Sequence, residues 1–225
     1  MASLILIGAG PGIGAAVTRH CVDDGDPVGL LARSSASLDP IAQSLRARGS
    51  RVATCTADVA DEAELTSAID ELVAEVGVPR LLVYNAALIR ADEPGELGYA
   101  EHLRAYAINV LGAMTAVTRL APAMASAGGG TVIITGGMPR SKASHVSLSL
   151  GKAGVRSLAA MLAETYGPSG VHVATVTVAG AVTPGGRFDP DEIAASYRRL
   201  HEQSTDQCEH EVTYAGRVTG SELTG

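Results

Sequence analysis

The chain has 225 residues, 46% of them apolar and 18% charged, which suits one α/β domain with a sizeable core and excludes a disordered segment. Its formal charge is −7, from 24 acidic against 17 basic residues with no basic run, which speaks against a nucleic-acid or anionic-membrane surface. Cys21, Cys55 and Cys208 are odd in number and widely spaced, no His/Cys/Asp cluster has metal-ligand spacing, and no basic n-region precedes the first apolar run. A cytoplasmic protein with free thiols, no metal, no disulfide frame and no signal peptide is therefore expected. The apolar runs are strand-sized and too short to span a bilayer.

Apolar runs alternate with helical patterns along the whole chain. Strands are predicted near Leu4–Ile7, Val28–Ala32, Val52–Thr56, Leu81–Tyr84, Val132–Thr135 and Val171–Val178, with a short last one at Glu211–Tyr214. Helices are predicted over Asp61–Val76, Glu101–Ala125 and Ser147–Tyr166, and Pro184–Ser204 is Gly/Pro-rich at first and then helical. This βαβ alternation predicts a single-domain, Rossmann-like, doubly wound parallel sheet flanked by helices over residues 1–215, with 216–225 as a loose tail. Right-handed crossovers place the carboxyl ends of all strands on one edge, and ligands of such sheets bind there.

The first strand end is the most informative. Leu4–Ile7 runs into Gly8-Ala9-Gly10-Pro11-Gly12-Ile13-Gly14, after which a small-residue helix begins. A strand, a glycine turn and a helix N-terminus together make a phosphate cradle, because backbone N–H groups and the helix dipole face the anion. The spacing is Gly8-x-x-x-Gly12-x-Gly14, since Ile13 stands where G-x-G-x-x-G needs its third glycine.

This spacing near the start of the chain resembles the short-chain dehydrogenase/reductase family. The likeness implies that Gly8, Gly12, Ile13 and Gly14 hold a dinucleotide pyrophosphate. After the second strand, Arg33 and Ser34 stand where an NAD enzyme usually has an acid, so NADP is expected rather than NAD. Asp58 and Val59 match the pair that borders the adenine, although Asp58 and Asp61 are also rival caps for the next helix. Tyr84-Asn85-Ala86-Ala87 stands for Asn-Asn-Ala-Gly, with Asn85 and Ala86 beside the ribose. Gly180, Val182 and Thr183 match the segment that holds the nicotinamide carboxamide.

The catalytic segment departs from the pattern. The family uses Ser, Tyr and Lys, with Tyr four residues before Lys on one helix, a helix asparagine completing the set. Lys152 and Asn109 have counterparts here, and residue counting gives Thr135 for the serine, but the tyrosine position holds Leu148, which cannot carry a proton. His145 lies about 20° from Lys152 on a helical wheel, two turns earlier, and is the candidate replacement acid. Ser149 shares roughly that face. The expected activity is an atypical NADP-dependent oxidoreductase acting on a small-molecule carbonyl/alcohol or related unsaturated substrate. A cofactor-binding sensor without turnover and a non-redox isomerase, dehydratase or cyclase remain alternatives. Substrate walls are expected from Met138–Ser144 and from Phe188, Tyr197 and His201. Small residues on the Glu101–Ala125 and Ser147–Tyr166 helices predict a homodimer or homotetramer, with core packing as the rival explanation.

Overall fold

The computed structural model describes residues 3–204 and 207–217. Seven strands, β1 (Leu4–Ile7), β2 (Val28–Ala32), β3 (Val52–Thr56), β4 (Leu81–Tyr84), β5 (Gly130–Thr135), β6 (Val171–Val178) and β7 (Glu211–Tyr214), form one sheet in the order β3-β2-β1-β4-β5-β6-β7. Every pairing is parallel. Strands β1, β2, β4 and β6 are buried throughout, as the unbroken apolar runs require when helices cover both faces. The chain reverses its winding between β1 and β4, and that switch point opens a crevice at the carboxyl edge.

One face is covered by α1 (Ile13–Cys21), α2 (Ser35–Ala47) and α7 (Pro190–His201), which pack with Leu6, Leu30, Ile133 and Val176. The other is covered by α3 (Glu62–Val76), α5 (Gly112–Ser126) and α6 (Val146–Tyr166), which pack with Ile5, Leu82, Ile134 and Val173, while α4 (Tyr99–Tyr106) lies against α6. Asp61, not Asp58, caps α3, its Oδ1 accepting from Ala63 N at 2.9 Å and Glu64 N at 3.0 Å. Asp189 caps α7 in the same way, with Pro190 in the first turn and Arg198, Arg199 and His201 in the last.

The helix expected over Glu101–Ala125 runs from Tyr99 to Ser126 but is interrupted by a π-helical turn at Ala107–Leu111. The Tyr84 hydroxyl donates to Ile108 O at 2.6 Å, inside this turn. Gly112 is needed beside it, because a Cβ there would lie 2.3 Å from the Tyr84 oxygen. By length and composition alone these 28 residues could cross a membrane, which corrects the expectation that every apolar run is too short. More than half of the apolar stretch, 56%, is buried in the protein.

The first residues of the supposed loose tail are held. Arg217 N donates to Arg187 O at 2.8 Å and its guanidinium donates to Glu192 Oε1 at 2.6 Å. Residues 218–225 lie outside the described residues.

Core packing accounts for two small residues of α6. A Cβ on Gly151 would lie 2.8 Å from Asn109 Cβ, and one on Gly154 would lie 3.0 Å from Val110 Cγ2. Gly151→Ala gains about 1 kcal/mol of helix propensity but loses about 1–3 kcal/mol to overpacking. Its urea or thermal melt is expected to fall below that of the wild type.

Candidate active site

The site begins where three strand ends are tied together. Gly8 adopts φ +86°, and a Cβ there would sit 2.3 Å from Ala86 N. Gly8 N and Ala9 N donate to Leu31 O at 2.8 and 3.0 Å, and Asn85 Nδ2 donates to Gly8 O at 3.0 Å. Beyond this knot the loop is open. A Cβ on Gly10 or Gly12 would meet nothing within 4 Å, no side chain caps α1, and its first turn holds no acid. The Ile13 and Gly14 N–H groups, in the first turn, have no intrahelical acceptor. Unpaired donors, the positive helix end and clear space fit a pyrophosphate.

From Gly8 a cavity of about 230 Å³ extends past Ala32, Arg33, Ser34, Ser37, Ala57, Val59 and Asn85–Leu88. Ser34 is the N-cap residue of α2 but its hydroxyl makes no capping bond. It faces Ser37 Oγ at 3.3 Å, a neighbour that sequence reasoning missed although its i+3 position from the cap marks it. Asp58 does not line this cavity. Its carboxylate accepts from Ala60 N at 3.0 Å and from Arg104 at 2.7 Å, and these bonds lower its pKa. Asp58 thus has a structural role in the structure, while Val59 and Ala57 supply the cavity wall. Ala87 keeps a negative φ, as its extra methyl demands, since Met138 at φ 48° is the one non-glycine residue with positive φ among the described residues.

Asn85 and Ala87 also line a second cavity, of about 880 Å³, together with Gly10–Gly14, Thr135–Arg140, Lys142, His145, Leu148, Lys152 and Val178–Val182. Gly180 and Val182 thus stand where the sequence places them. Thr183 does not line the cavity; its N–H donates to Phe188 O at 3.1 Å and steadies the following loop. Phe188 packs over Gly180, where a Cβ would lie 2.1 Å from its ring.

Lys152 is buried on α6, and its Nζ donates to Thr135 O at 2.7 Å. Burial disfavours its charged form and lowers its pKa to about 8. Thr135 corrects an expectation. Its hydroxyl donates to Asn85 Oδ1 at 2.9 Å and so must accept from the Tyr197 hydroxyl at 2.7 Å. It is bound at both ends, inside the α7 side of the sheet. The position facing the lysine is Gly137, where a Cβ would lie 3.7 Å from Lys152 Cε, and glycine brings no hydroxyl. Tyr197 is fully buried, so it is a core residue and not a substrate wall. His201 bonds Thr131 Oγ1 at 3.0 Å, at the opposite end of β5. Asn109 lies in the π-helical turn, and its Oδ1 accepts from Leu88 N at 3.0 Å, which pins that loop.

His145 is the residue before α6, lines the large cavity, and bonds Ser144 Oγ through Nδ1 at 3.0 Å. Ser149 is withdrawn, bonding Lys142 N at 3.0 Å and Lys142 O at 3.3 Å. A residue the sequence did not reveal, Asp92, anchors this helix start. It is buried and accepts from Ser147 N at 2.9 Å and Ser147 Oγ at 2.8 Å, a cap supplied by a distant loop.

Comparison with known proteins identifies this arrangement. Residues 3–191 match the short chain dehydrogenase family. The chain belongs to the short-chain dehydrogenase/reductase family. It is 32% identical over 185 residues to cis-4-hydroxycyclohexanecarboxylate dehydrogenase of Sinomonas cyclohexanicum, covering 80% of this chain and 73% of that protein. It is 28% identical over 214 residues to D-threitol dehydrogenase of Mycolicibacterium smegmatis, covering 85% and 82%. A metagenomic short-chain oxidoreductase solved with NADP shares the fold, with a TM-score of 0.85 at 24% identity over 96% of this chain and 98% of that one. The family binds NAD(P), and its named relatives are oxidoreductases. In this chain Leu148 stands four residues before Lys152, and Gly137 is the residue that faces that lysine.

Lys152 also has a stability signature. Its folded pKa, about 8, lies below the unfolded value of 10.5, so the unfolded chain holds the extra proton between those values and stability rises with pH across that window. Lys152→Met is expected to raise the melting temperature at pH 7 and to lose that advantage as pH climbs through the window. A pH series of melts on both proteins checks this.

Proposed function

We propose that the protein is an NADP-dependent oxidoreductase interconverting an alcohol and a carbonyl, or reducing a related unsaturated bond, on a small molecule. The observation that carries this reading is the continuity of the two cavities at Asn85 and Ala87. One arm ends among Arg33, Ser34 and Ser37, and the other passes the open glycine loop to Lys152. No carboxylate lines the Arg33 arm, and a guanidinium, two hydroxyls and a helix N-terminus suit a 2′-phosphate. The relatives named above act, by their names, on a hydroxy acid and a polyol, both alcohols.

When bound, the nicotinamide supplies or accepts a hydride at the reacting carbon. Gly10–Gly14 hold the pyrophosphate, Arg33 and Ser34 the 2′-phosphate, Asn85 and Ala86 the ribose, and Gly180 and Val182 the carboxamide end. Lys152 holds the nicotinamide ribose. The proton for the substrate oxygen comes from His145. Its Nδ1 is engaged by Ser144, and Nε2 makes no hydrogen bond among the described residues. An imidazole can both donate and accept a proton through its ring nitrogens, which is what this step asks of it. Leu148 supports a second reading, a cofactor-binding protein without redox turnover, since that position can move no proton. We further place the protein as a soluble cytoplasmic enzyme that pairs as a homodimer or homotetramer through exposed Tyr99, Leu103, Leu150 and Met161.

Two measurements test the reading. Arg33→Ala is expected to raise the KM for NADPH about 10–100-fold, with little effect on NADH, as loss of a charge-assisted phosphate bond should. His145→Ala is expected to lower kcat more than tenfold, followed by nicotinamide absorbance with candidate ketones and aldehydes. Unchanged turnover removes His145 from the mechanism. Tight NADPH binding with no turnover on any carbonyl favours the second reading.

A further inference from the structure

We propose that the substrate carries an anionic group, a carboxylate in its simplest form, on an apolar body, and that Arg140 and Lys142 receive that group. This rests on the oxidoreductase reading above and names the substrate class for the same site.

Charge distribution carries the argument. The chain has 24 acidic residues, yet among the described residues no acid lines the large cavity. Arg140, Lys142, Lys152 and His145 all do. Elsewhere on this acidic surface eight of the fifteen arginines form ion pairs with carboxylates. The side chains of Arg140 and Lys142 have no hydrogen-bond or ion-pair partner among the described residues, so two cations stand at the cavity with nothing to neutralise them. Asp92, whose backbone N–H bonds Ser144 O in this loop, is buried and its carboxylate is taken up by Ser147.

The cations are also held in place. The loop between β5 and α6 is fixed at one end by Arg156, which donates to Gly137 O and Met138 O at 3.2 Å each. At the other end Ser149 holds Lys142 N and O. A backbone fixed in this way lowers the cost of ordering the binding groups. The cofactor phosphates do not account for these cations, because their donors lie at Gly10–Gly14 and at Arg33, whereas Arg140 and Lys142 share their loop with His145. Between the loop and Lys152 the walls are Ile89, Met138, Leu148, Ala181 and Val182, which suit an apolar body and offer it no hydroxyl. An anion at the loop and a carbonyl toward Lys152 and His145 thus define the two ends of the substrate.

The test compares oxocyclohexanecarboxylate with its methyl ester, which keeps the body and removes the charge, using the NADPH-loaded enzyme. The acid is expected to show a kcat/KM about tenfold or more above the ester, declining with added salt. In R140A/K142A, two exposed positions, the acid-to-ester ratio is expected to collapse toward one. Equal turnover of acid and ester in the wild type, or a ratio that survives in R140A/K142A, overturns this inference and leaves the oxidoreductase reading standing. If neither compound is turned over, calorimetry with the NADPH-loaded protein decides. Binding of the acid that is lost in R140A/K142A upholds the anion site while counting against redox turnover, and absence of binding overturns it.

Discussion

Everything at the carboxyl edge of the sheet depends on the close approach of Gly8 to the backbone of Asn85 and Ala86. With a left-handed φ and a would-be Cβ 2.3 Å from Ala86 N, this position admits only glycine. The approach draws the end of β4 against the end of β1, while two N–H bonds to Leu31 draw in β2. The glycine loop is thereby forced to rise away from the sheet, and the first turn of α1 faces the crevice with its N–H groups free. A larger residue at this point would separate the strand ends and tilt the helix, and the phosphate cradle would lose its donors.

A buried hydrogen-bond chain extends this knot across the molecule. Tyr197 donates to Thr135, Thr135 to Asn85, and Asn85 to Gly8 O. The chain joins α7, β5, β4 and the glycine loop, and each hydroxyl or amide in it is satisfied. At its buried end such a network is stiff, because breaking the link from Tyr197 to Thr135 strands a polar group at a cost of about 1–3 kcal/mol. The same network explains why Thr135 is unavailable to substrate. Its carbonyl is occupied as well, by Lys152, so this one residue couples α7, the glycine loop and the buried lysine.

Much of this was legible from the residues alone, and the limits have physical causes. Apolar runs of four to eight residues betray strands covered on both faces, so strand positions were readable to within two residues even at β5. The glycine spacing betrays the loop, because few other residues allow its conformation. Side-chain direction was less readable. Counting back from the lysine fixes a place along the chain, but the direction of Thr135 is set by Tyr197, 62 residues away in sequence. Asn109 turns to Leu88 because a π-helical turn, held by Tyr84, shifts the helix register there. Asp58 is claimed by Arg104 from another helix, and the Asp92 cap on α6 spans 55 residues. Each of these is a long-range polar contact, and no local pattern encodes one.

The leucine at position 148 then acquires a definite meaning. A proton-transfer group on that face of α6 would point into the cavity from the helix; here the helix offers an apolar wall, and the buried lysine is bound to a carbonyl. Titratable and cationic groups enter the cavity instead from the preceding loop, where His145, Lys142 and Arg140 follow one another. Apart from Lys152, the titratable and cationic side chains that line this cavity thus lie on the loop that precedes the helix. Loop residues are positioned less tightly than helix residues unless their backbone is tied down. That requirement accounts for the polar anchors around this segment: Arg156 on the carbonyls of Gly137 and Met138, Ser149 on Lys142, and Asp92 at the start of the helix.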